Sequence, residues 1–359
     1  MHRIGSEITS LTRSTFTTGI QRVMVETHKH IRSQLNFQNE SFTATSIDFE
    51  NLGIEYLQNS YLSNDILLKE PITSISEIDT LLLLDSSLIL PYGEILKERR
   101  RRSLKVVSVI HDILPILYPD FFPQDYAKNH YRRFIQTLFH ISDLLIFESE
   151  SVKNEVESLD WKFKGKSVVV RLGAHHEEEF IPFQMRPPLS MMYVSTLEPR
   201  KGHSQLLDAF DELLISGYDV YLTFIGIDGW KVDNLVNRIL THPEFNHRLR
   251  WLKKCGEDDL IHEYRNHSIS INPSKAEGFG LNVEEALFFG QKVVANAIPV
   301  FLERSQPNLY FYDGSTADLV GKIVETSKFP YKSIGTSKIR HMRDYSSELL
   351  NNIRSLHHV

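Results

Sequence analysis

At 359 residues the chain is longer than one ordinary core, so two domains are the default expectation. Apolar residues make up 41% and charged residues 24%, the balance of a water-soluble globular protein, and a net charge of −6 argues against a dedicated nucleic-acid binder. A single cysteine, Cys255, excludes an internal disulfide and suits a reducing cytoplasm; no signal-peptide pattern follows Met1, and no window reaches the roughly 18 apolar residues of a membrane span.

Residues 6–12 read as a short strand entering a loop that ends Thr17-Thr18-Gly19-Ile20-Gln21-Arg22-Val23. Thr18 and Gln21 have capping-box spacing, and Ile20, Val23, Met24 and Ile31 give helical periodicity to about Ser33. Gly19 and Arg22 therefore fall where a first strand-to-helix turn meets its helix, at the carboxyl edge of a sheet. Strand-like runs recur at 42–49, 80–84, 105–110 and 144–147, the alternation of a parallel α/β sheet. His111 lies just past the third of these runs, inside His111-Asp112-Ile113-Leu114-Pro115. Before that run, residues 97–105 carry six basic side chains: Lys97, Arg99, Arg100, Arg101, Arg102 and Lys105. Such a run reads first as a solvated helix end, and second as a patch for an anionic bilayer or a lipid-linked acceptor. Residues 149–158 read as a helix capped by Ser149, and Val168-Val169-Val170 as the last strand of the first domain. His175-His176-Glu177-Glu178-Glu179 has metal-like residue types without zinc-helix spacing, and with Pro182, Pro187 and Pro188 it reads as a linker. The domain boundary is set between residues 182 and 183.

The second half opens with a strand at 191–196 and the loop Leu197-Glu198-Pro199-Arg200-Lys201-Gly202-His203, followed by an amphipathic helix. An arginine and a lysine on a strand-to-helix turn suit a diphosphate, the first as a fork for two oxygens and the second as a point charge. Residues 220–225 form a strand ending at Gly226; a helix (232–240), a strand (249–252) and a helix containing Tyr264 follow. The alternating run 268–273 then leads into Ser274 to Gly290. There Gly278 and Gly280 bare the backbone, and Asn282 with Glu285 has capping-box spacing, so a helix is expected to start near Asn282. Its unpaired first-turn N–H groups would seat an anion, flanked by the carboxylates of Glu277 and Glu285. Glu303 is a weaker candidate for the same pocket, and 344–356 reads as a final amphipathic helix.

Glu277 and Glu285, separated by seven residues around Glu-Gly-Phe-Gly-Leu, resemble the signature of the retaining glycosyltransferases of family 4. Further strings are similar to that family in the same order: Thr18-Gly19-Ile20-Gln21-Arg22-Val23, His111-Asp112-Ile113-Leu114-Pro115, and Thr196-Leu197-Glu198-Pro199-Arg200-Lys201-Gly202-His203. The resemblance implies a GT-B fold: two Rossmann-like doubly wound domains facing across a cleft, residues 1–182 on the acceptor side and 183–338 binding the nucleotide sugar, with a last helix (339–359) crossing back. It implies catalytic roles for His111, Arg200, Lys201 and Glu277, with His111 as a hydrogen-bonding group and not a nucleophile, and donor contacts from Gly19, Gly226, Glu285 and the main chain at Gly278, Phe279, Gly280 and Leu281. Arg200 and Lys201 would bind the diphosphate, and Arg22 would serve an acceptor or phosphate loop. The activity implied is transfer of a hexose, with retained anomeric configuration, from a nucleotide diphosphate-sugar to a glycan or lipid-linked glycan hydroxyl, in the manner of bacterial surface-polysaccharide mannosyl- or rhamnosyltransferases. No Asp-x-Asp pair occurs in the chain, so neither a metal nor another cofactor is expected. The inner face of the cytoplasmic membrane is the expected alternative location. Rival readings are a GT-B epimerase or phosphorylase, and a non-catalytic subunit that binds a partner transferase.

Overall fold

The computed structural model describes residues 2–7, 19–35, 40–46, 73–85, 92–123, 130–174, 189–330, 332 and 340–357. The chain divides into two compact units. The first comprises Met1–Leu117, Gln124–His175 and Arg340–Val359; the second comprises Tyr118–Pro123 and His176–Ile339.

In the first unit the described strands are β1 (His2–Glu7), β2 (Glu40–Ser46), β3 (Thr73–Ser74), β4 (Thr80–Leu83), β5 (Lys105–Ile110), β6 (Leu144–Phe147) and β7 (Lys166–Val169). They form one parallel sheet in the order β3-β2-β1-β4-β5-β6-β7. β4 and β6 are buried along their whole length, as a parallel sheet covered on both faces requires, which is why Leu-Leu-Leu and Leu-Leu-Ile-Phe runs suit them. The helices are α1 (Gly19–Gln34), α2 (Tyr92–Arg102), α3 (Arg132–Ile141) and α4 (Glu150–Glu157). Ser149 caps α4, its hydroxyl accepting from the Val152 N–H at 3.1 Å. The loop before α1, with Thr18, lies outside the described residues, as do 8–12, 47–49 and the linker candidates 175–179, 182, 187 and 188.

The second unit repeats the plan with β8 (Leu189–Val194), α5 (His203–Ile215), β9 (Val220–Ile225), α6 (Asp233–Leu240), β10 (Leu249–Leu252), α7 (Glu257–Asn266), β11 (Ile269–Asn272), α8 (Leu281–Phe288), β12 (Lys292–Asn296), β13 (Leu309–Tyr312) and α9 (Thr316–Lys328). Its parallel sheet runs β10-β9-β8-β11-β12-β13, so β8 lies between β9 and β11 and the winding reverses there. Such a reversal leaves the loops after β8 and β11 diverging at the sheet's carboxyl edge, where ligands bind in doubly wound domains. Met191, Tyr193, Leu206, Phe210, Leu222, Phe224 and Ile271, all fully buried, form the centre of the core beneath that edge.

The final helix, α10 (Met342–Arg354), belongs to the first unit. Backbone bonds tie its start to Ala174, in the segment beyond β7: Ala174 N–H to Arg340 O at 2.8 Å and Met342 N–H to Ala174 O at 3.0 Å. Arg354 pairs with Glu40 on β2 at 2.6 Å.

Candidate active site

The carboxyl edge of the second sheet collects the charged residues that the sequence singles out there. After β8 the chain makes a short turn, Pro199–Lys201, and enters α5 through Gly202. Gly202 has φ = +73°, and a Cβ there would sit 2.2 Å from the Pro273 carbonyl oxygen, so only glycine lets this loop lie against the loop that follows β11. A backbone bond joins the two loops, Lys275 N–H to Arg200 O at 2.8 Å.

Across that junction Glu277 receives both cations. Lys201 Nζ stands 2.6 Å from one carboxylate oxygen and Arg200 Nη1 2.9 Å from the other. Ser274 donates its hydroxyl to the first oxygen at 2.7 Å. Since a carboxylate only accepts, the Ser274 proton is committed, and Tyr193, 2.8 Å away, must donate to Ser274 in turn. Glu198 adds a second carboxylate, 2.9 Å from Arg200 Nε. All four charged side chains are at most 14% exposed, so the cluster is a buried two-plus-two of acids and bases.

The electrostatics follow from that packing. Burial favours a neutral Glu277, but Lys201 and Arg200 outweigh it and hold the carboxyl down at about 2. Lys201 is lowered, first by burial and then by Arg200. Glu198 is raised, chiefly by burial. His203, packed between Tyr193 and Phe224, is pulled down to about 3 by burial and then by Lys201, so it adds no charge to the loop.

The turn after Glu277 corrects one expectation. α8 starts at Leu281 with Gly280 as its N-cap at φ = +88°, so Asn282 lies inside the first turn and caps nothing. A Cβ on Gly280 would fall 2.4 Å from Phe301 Cε1, and with its positive φ this makes glycine the residue suited to that cap position. Asn282 instead links the two loops' roots: it donates to Val194 O at 2.9 Å and accepts from Asn272 Nδ2 at 2.9 Å. Glu285 is thereby released from capping, and its buried carboxylate accepts the Tyr264 hydroxyl at 2.7 Å. Gly226 ends β9, and its carbonyl accepts from Trp251 Nε1 at 2.8 Å. Glu303, partly exposed, follows the helical turn Pro299–Leu302.

In the first unit, His111 stands just beyond β5 and is buried. Nδ1 lies 2.8 Å from the Glu148 carboxylate and Nε2 lies 2.7 Å from the Leu84 carbonyl oxygen. Both partners are acceptors, so the ring carries both protons when Glu148 is ionised. Burial opposes that charge, but Glu148 and the Leu84 carbonyl raise the ring to about 9. Both nitrogens are thus occupied inside the unit, an arrangement that a lone histidine in the sequence does not disclose. Gly19 opens α1 exposed, and Arg22 is half-buried on its first turn.

The basic run divides in two. Arg99 forks onto Asp143, with Nη2 3.1 Å from Oδ1, and Arg102 bridges Glu98 at 2.7 Å and the Ile75 carbonyl at 2.7 Å. Lys105 stands 3.8 Å from Asp143. These three brace the fold. Lys97, Arg100 and Arg101, with Gly93 and Leu96, line an open groove of about 470 Å³ along α2. Among the described residues no group of three His, Cys, Asp or Glu side chains could hold a metal ion, and no helix is long and apolar enough to cross a membrane.

Two parallel sheets with this strand order and flanking helices define the GT-B fold of glycosyltransferases. Comparisons with known proteins agree. Residues 178–323 match the family model of the glycosyl transferases group 1. The chain is 31% identical over 236 residues to a serotype-specific mannosyltransferase, WbdA, of Escherichia coli, a match covering 60% of this chain and 29% of that protein. It is 25% identical over 205 residues to the O-antigen chain mannosyltransferase B of the same organism, covering 54% of this chain and 53% of that one. The chain therefore spans about half or less of the curated relatives it matches. An Anabaena protein, HepE, crystallised with UDP, superposes with a TM-score of 0.68 at 14% identity over 99% of this chain and 100% of its own. A sucrose-phosphate synthase from Thermosynechococcus elongatus does so with a TM-score of 0.68, also at 14% identity, over 99% of each. Over the matched residues the chain is thus similar to bacterial glycosyltransferases.

Proposed function

We propose that this protein is a retaining glycosyltransferase that moves a hexose from a nucleotide diphosphate-sugar to a glycan hydroxyl, in bacterial surface-polysaccharide synthesis. One observation carries the reading: Arg200 and Lys201 converge on Glu277 at the point where the second sheet reverses its winding. Two cations on a strand-to-helix turn can hold a diphosphate, and their charge stabilises the leaving nucleotide as the glycosidic bond breaks. Glu277 pairs with both cations. The incoming diphosphate exchanges for that carboxylate, which frees Glu277 to accept hydroxyls of the donor sugar. The main chain at Gly278 to Leu281 and the first turn of α8 lie next to Glu277 and supply N–H groups for phosphate or sugar. Glu285, held by Tyr264, accepts the ribose hydroxyls. The cations and the helix terminus provide the charge that a metal supplies elsewhere, so turnover proceeds in a chelator. The two Escherichia coli relatives are mannosyltransferases, which supports a mannosyl- or similar hexosyltransferase.

Gly19, Arg22 and His111 remain candidates on the first unit, for a donor phosphate or sugar and for the acceptor. His111 reaches a ligand only by giving up Glu148 or Leu84. Lys97, Arg100 and Arg101 line the groove and are the basic residues best placed to meet an anionic membrane or a lipid-linked acceptor, although Arg101 also bonds Glu98 at 3.0 Å; Arg99 and Arg102 are engaged more fully in the fold.

The test is product formation from a panel of UDP-, GDP-, dTDP- and ADP-hexoses, with and without EDTA, followed by proton NMR of the new glycosidic linkage. Transfer with the donor's anomeric configuration, unaffected by EDTA, is expected. An inverted product would refute the retaining mechanism, and loss of transfer in EDTA would refute metal independence.

A further inference from the structure

One buried ion pair of the second unit is used by none of the roles above. Arg304, 1% exposed at its side chain, donates from Nε to Glu284 at 2.7 Å; Glu284 is itself 9% exposed. Arg304 Nη1 donates to the Val300 carbonyl at 2.8 Å, and Nη2 donates to the Phe279 carbonyl at 2.8 Å. The guanidinium plane also lies over the Phe279 ring, 4.5 Å from its centroid, and 5.6 Å from that of Phe301. One side chain thus bonds α8, the helical turn Pro299–Leu302 and the glycine turn that follows Glu277.

Stability alone is a poor reason for this arrangement. A buried ion pair must overcome the desolvation of both charges, and a well-packed apolar pair of similar volume commonly does as well or better. What an apolar pair cannot do is hold a carbonyl. The peptide between Phe279 and Gly280 is planar and trans, so its C=O and N–H point in opposite directions. Pinning the Phe279 oxygen on buried Arg304 therefore directs the Gly280 N–H away from the interior. Phe301 packs against Gly280, within 2.4 Å of where a Cβ would stand, and fills the space beside the turn.

We propose that Arg304, held by Glu284, is a positioning residue that presets the Gly278-Phe279-Gly280 turn so that its main-chain N–H groups face the anionic part of the donor. The inference rests on the donor site proposed above. Glu284 stands immediately before Glu285 yet serves the turn, and Glu285 serves the ligand.

The test compares wild type with the double variant Glu284→Leu/Arg304→Leu, which removes the pair without leaving an unpaired charge. Binding of UDP, GDP, dTDP and ADP is measured by calorimetry, alongside the melting transition of each protein. The wild type is expected to bind one of these. The double variant leaves the Val300 and Phe279 carbonyls without a donor, so it is expected to melt lower than wild type. At a temperature where both are folded it is expected to bind the same nucleotide about tenfold more weakly, because the turn must then be ordered on binding. Arg304→Lys, which keeps the charge but cannot reach three acceptors, should fall between the two, and it carries the test if the double variant does not fold. Equal affinity in wild type and a folded variant overturns the positioning role and leaves the donor site standing. If wild type binds none of the four nucleotides, the donor site itself falls, and this inference with it.

Discussion

Replacing Glu277 with glutamine tests whether the carboxylate both holds Arg200 and Lys201 together and is the group a diphosphate must displace. The substitution keeps shape but removes the charge facing Lys201 and Arg200, and it turns one accepting oxygen into a donor that opposes either Arg200 or Lys201 with Ser274. The cations hold the Glu277 carboxyl near 2, against an ordinary 4.5. At 1.36 kcal/mol per pKa unit, a depression of about 2.5 units corresponds to roughly 3 kcal/mol of stabilisation by the folded surroundings. Breaking one partner out of a buried ion network costs a similar ~3–5 kcal/mol. Calorimetric melting of Glu277→Gln should therefore show the second unit's transition lowered by about 6–12 °C, at ~2–4 °C per kcal/mol for a unit of this size. Because Glu277 no longer competes for Arg200 and Lys201, inorganic pyrophosphate should recover a larger part of the lost stability in the variant than it adds to wild type. Hexosyl transfer should be lost, since no carboxylate remains for the sugar. A variant that melts like wild type and gains no more from pyrophosphate would refute the reasoning, because Glu277 would then be neither neutralising nor guarding the two cations.

Three further outcomes follow from the same geometry. His111 has a folded pKa raised to about 9 from 6.5, so its ion pair contributes fully below pH 6.5 and is lost as pH rises through 9. The first unit's melting temperature should fall across that window in wild type and stay flatter in Glu148→Gln; identical slopes would contradict the charged pair. Gly202→Ala forces a Cβ against the Pro273 carbonyl at positive φ. It should cost about 1–2 kcal/mol from the backbone alone, with weaker nucleotide binding as the two loops part, and a silent variant in denaturant melts would refute that contact's importance. Lys97→Glu/Arg100→Glu/Arg101→Gln, which leaves Arg102 on Glu98, should abolish sedimentation with vesicles containing phosphatidylglycerol while lowering the melt only slightly. Arg99→Ala should instead lower the melt, because Arg99 holds Asp143. Vesicle binding that survives the triple change would remove the groove from the membrane reading.

Much of the fold was legible because its signals are local. The runs at 105–110, 144–147 and 220–225 are apolar enough to identify buried parallel strands, and the loop 197–203 places Arg200 and Lys201 directly after one. The ends of elements were less legible. Asn282 and Glu285 have the spacing of a capping box, but Gly280 takes the cap, and the Asn282 side chain is spent on Val194 and Asn272, partners distant in the chain that the spacing does not show. Pairing was the least legible. Glu148 stands 37 residues from His111, and Arg304 stands 20 from Glu284, so nothing in either local pattern announces that a carboxylate will meet that ring or that guanidinium. The capture of Tyr118–Pro123 by the second unit is of the same kind: Trp230 and Lys231 donate to the carbonyls of Asp120, Phe121 and Phe122, a set of contacts no run of residues around Tyr118 displays.

The most direct measurement is calorimetric titration of wild type and of Arg200→Ala/Lys201→Ala with UDP, GDP, dTDP and ADP, in buffer containing EDTA. Wild type should bind one of the four, and that nucleotide at about a hundred times its dissociation constant should also stabilise the fold by roughly 2.7 kcal/mol. The double variant should bind none. A wild type that binds no nucleoside diphosphate, or a double variant that binds as well as wild type, would contradict a donor site built on Arg200, Lys201 and Glu277.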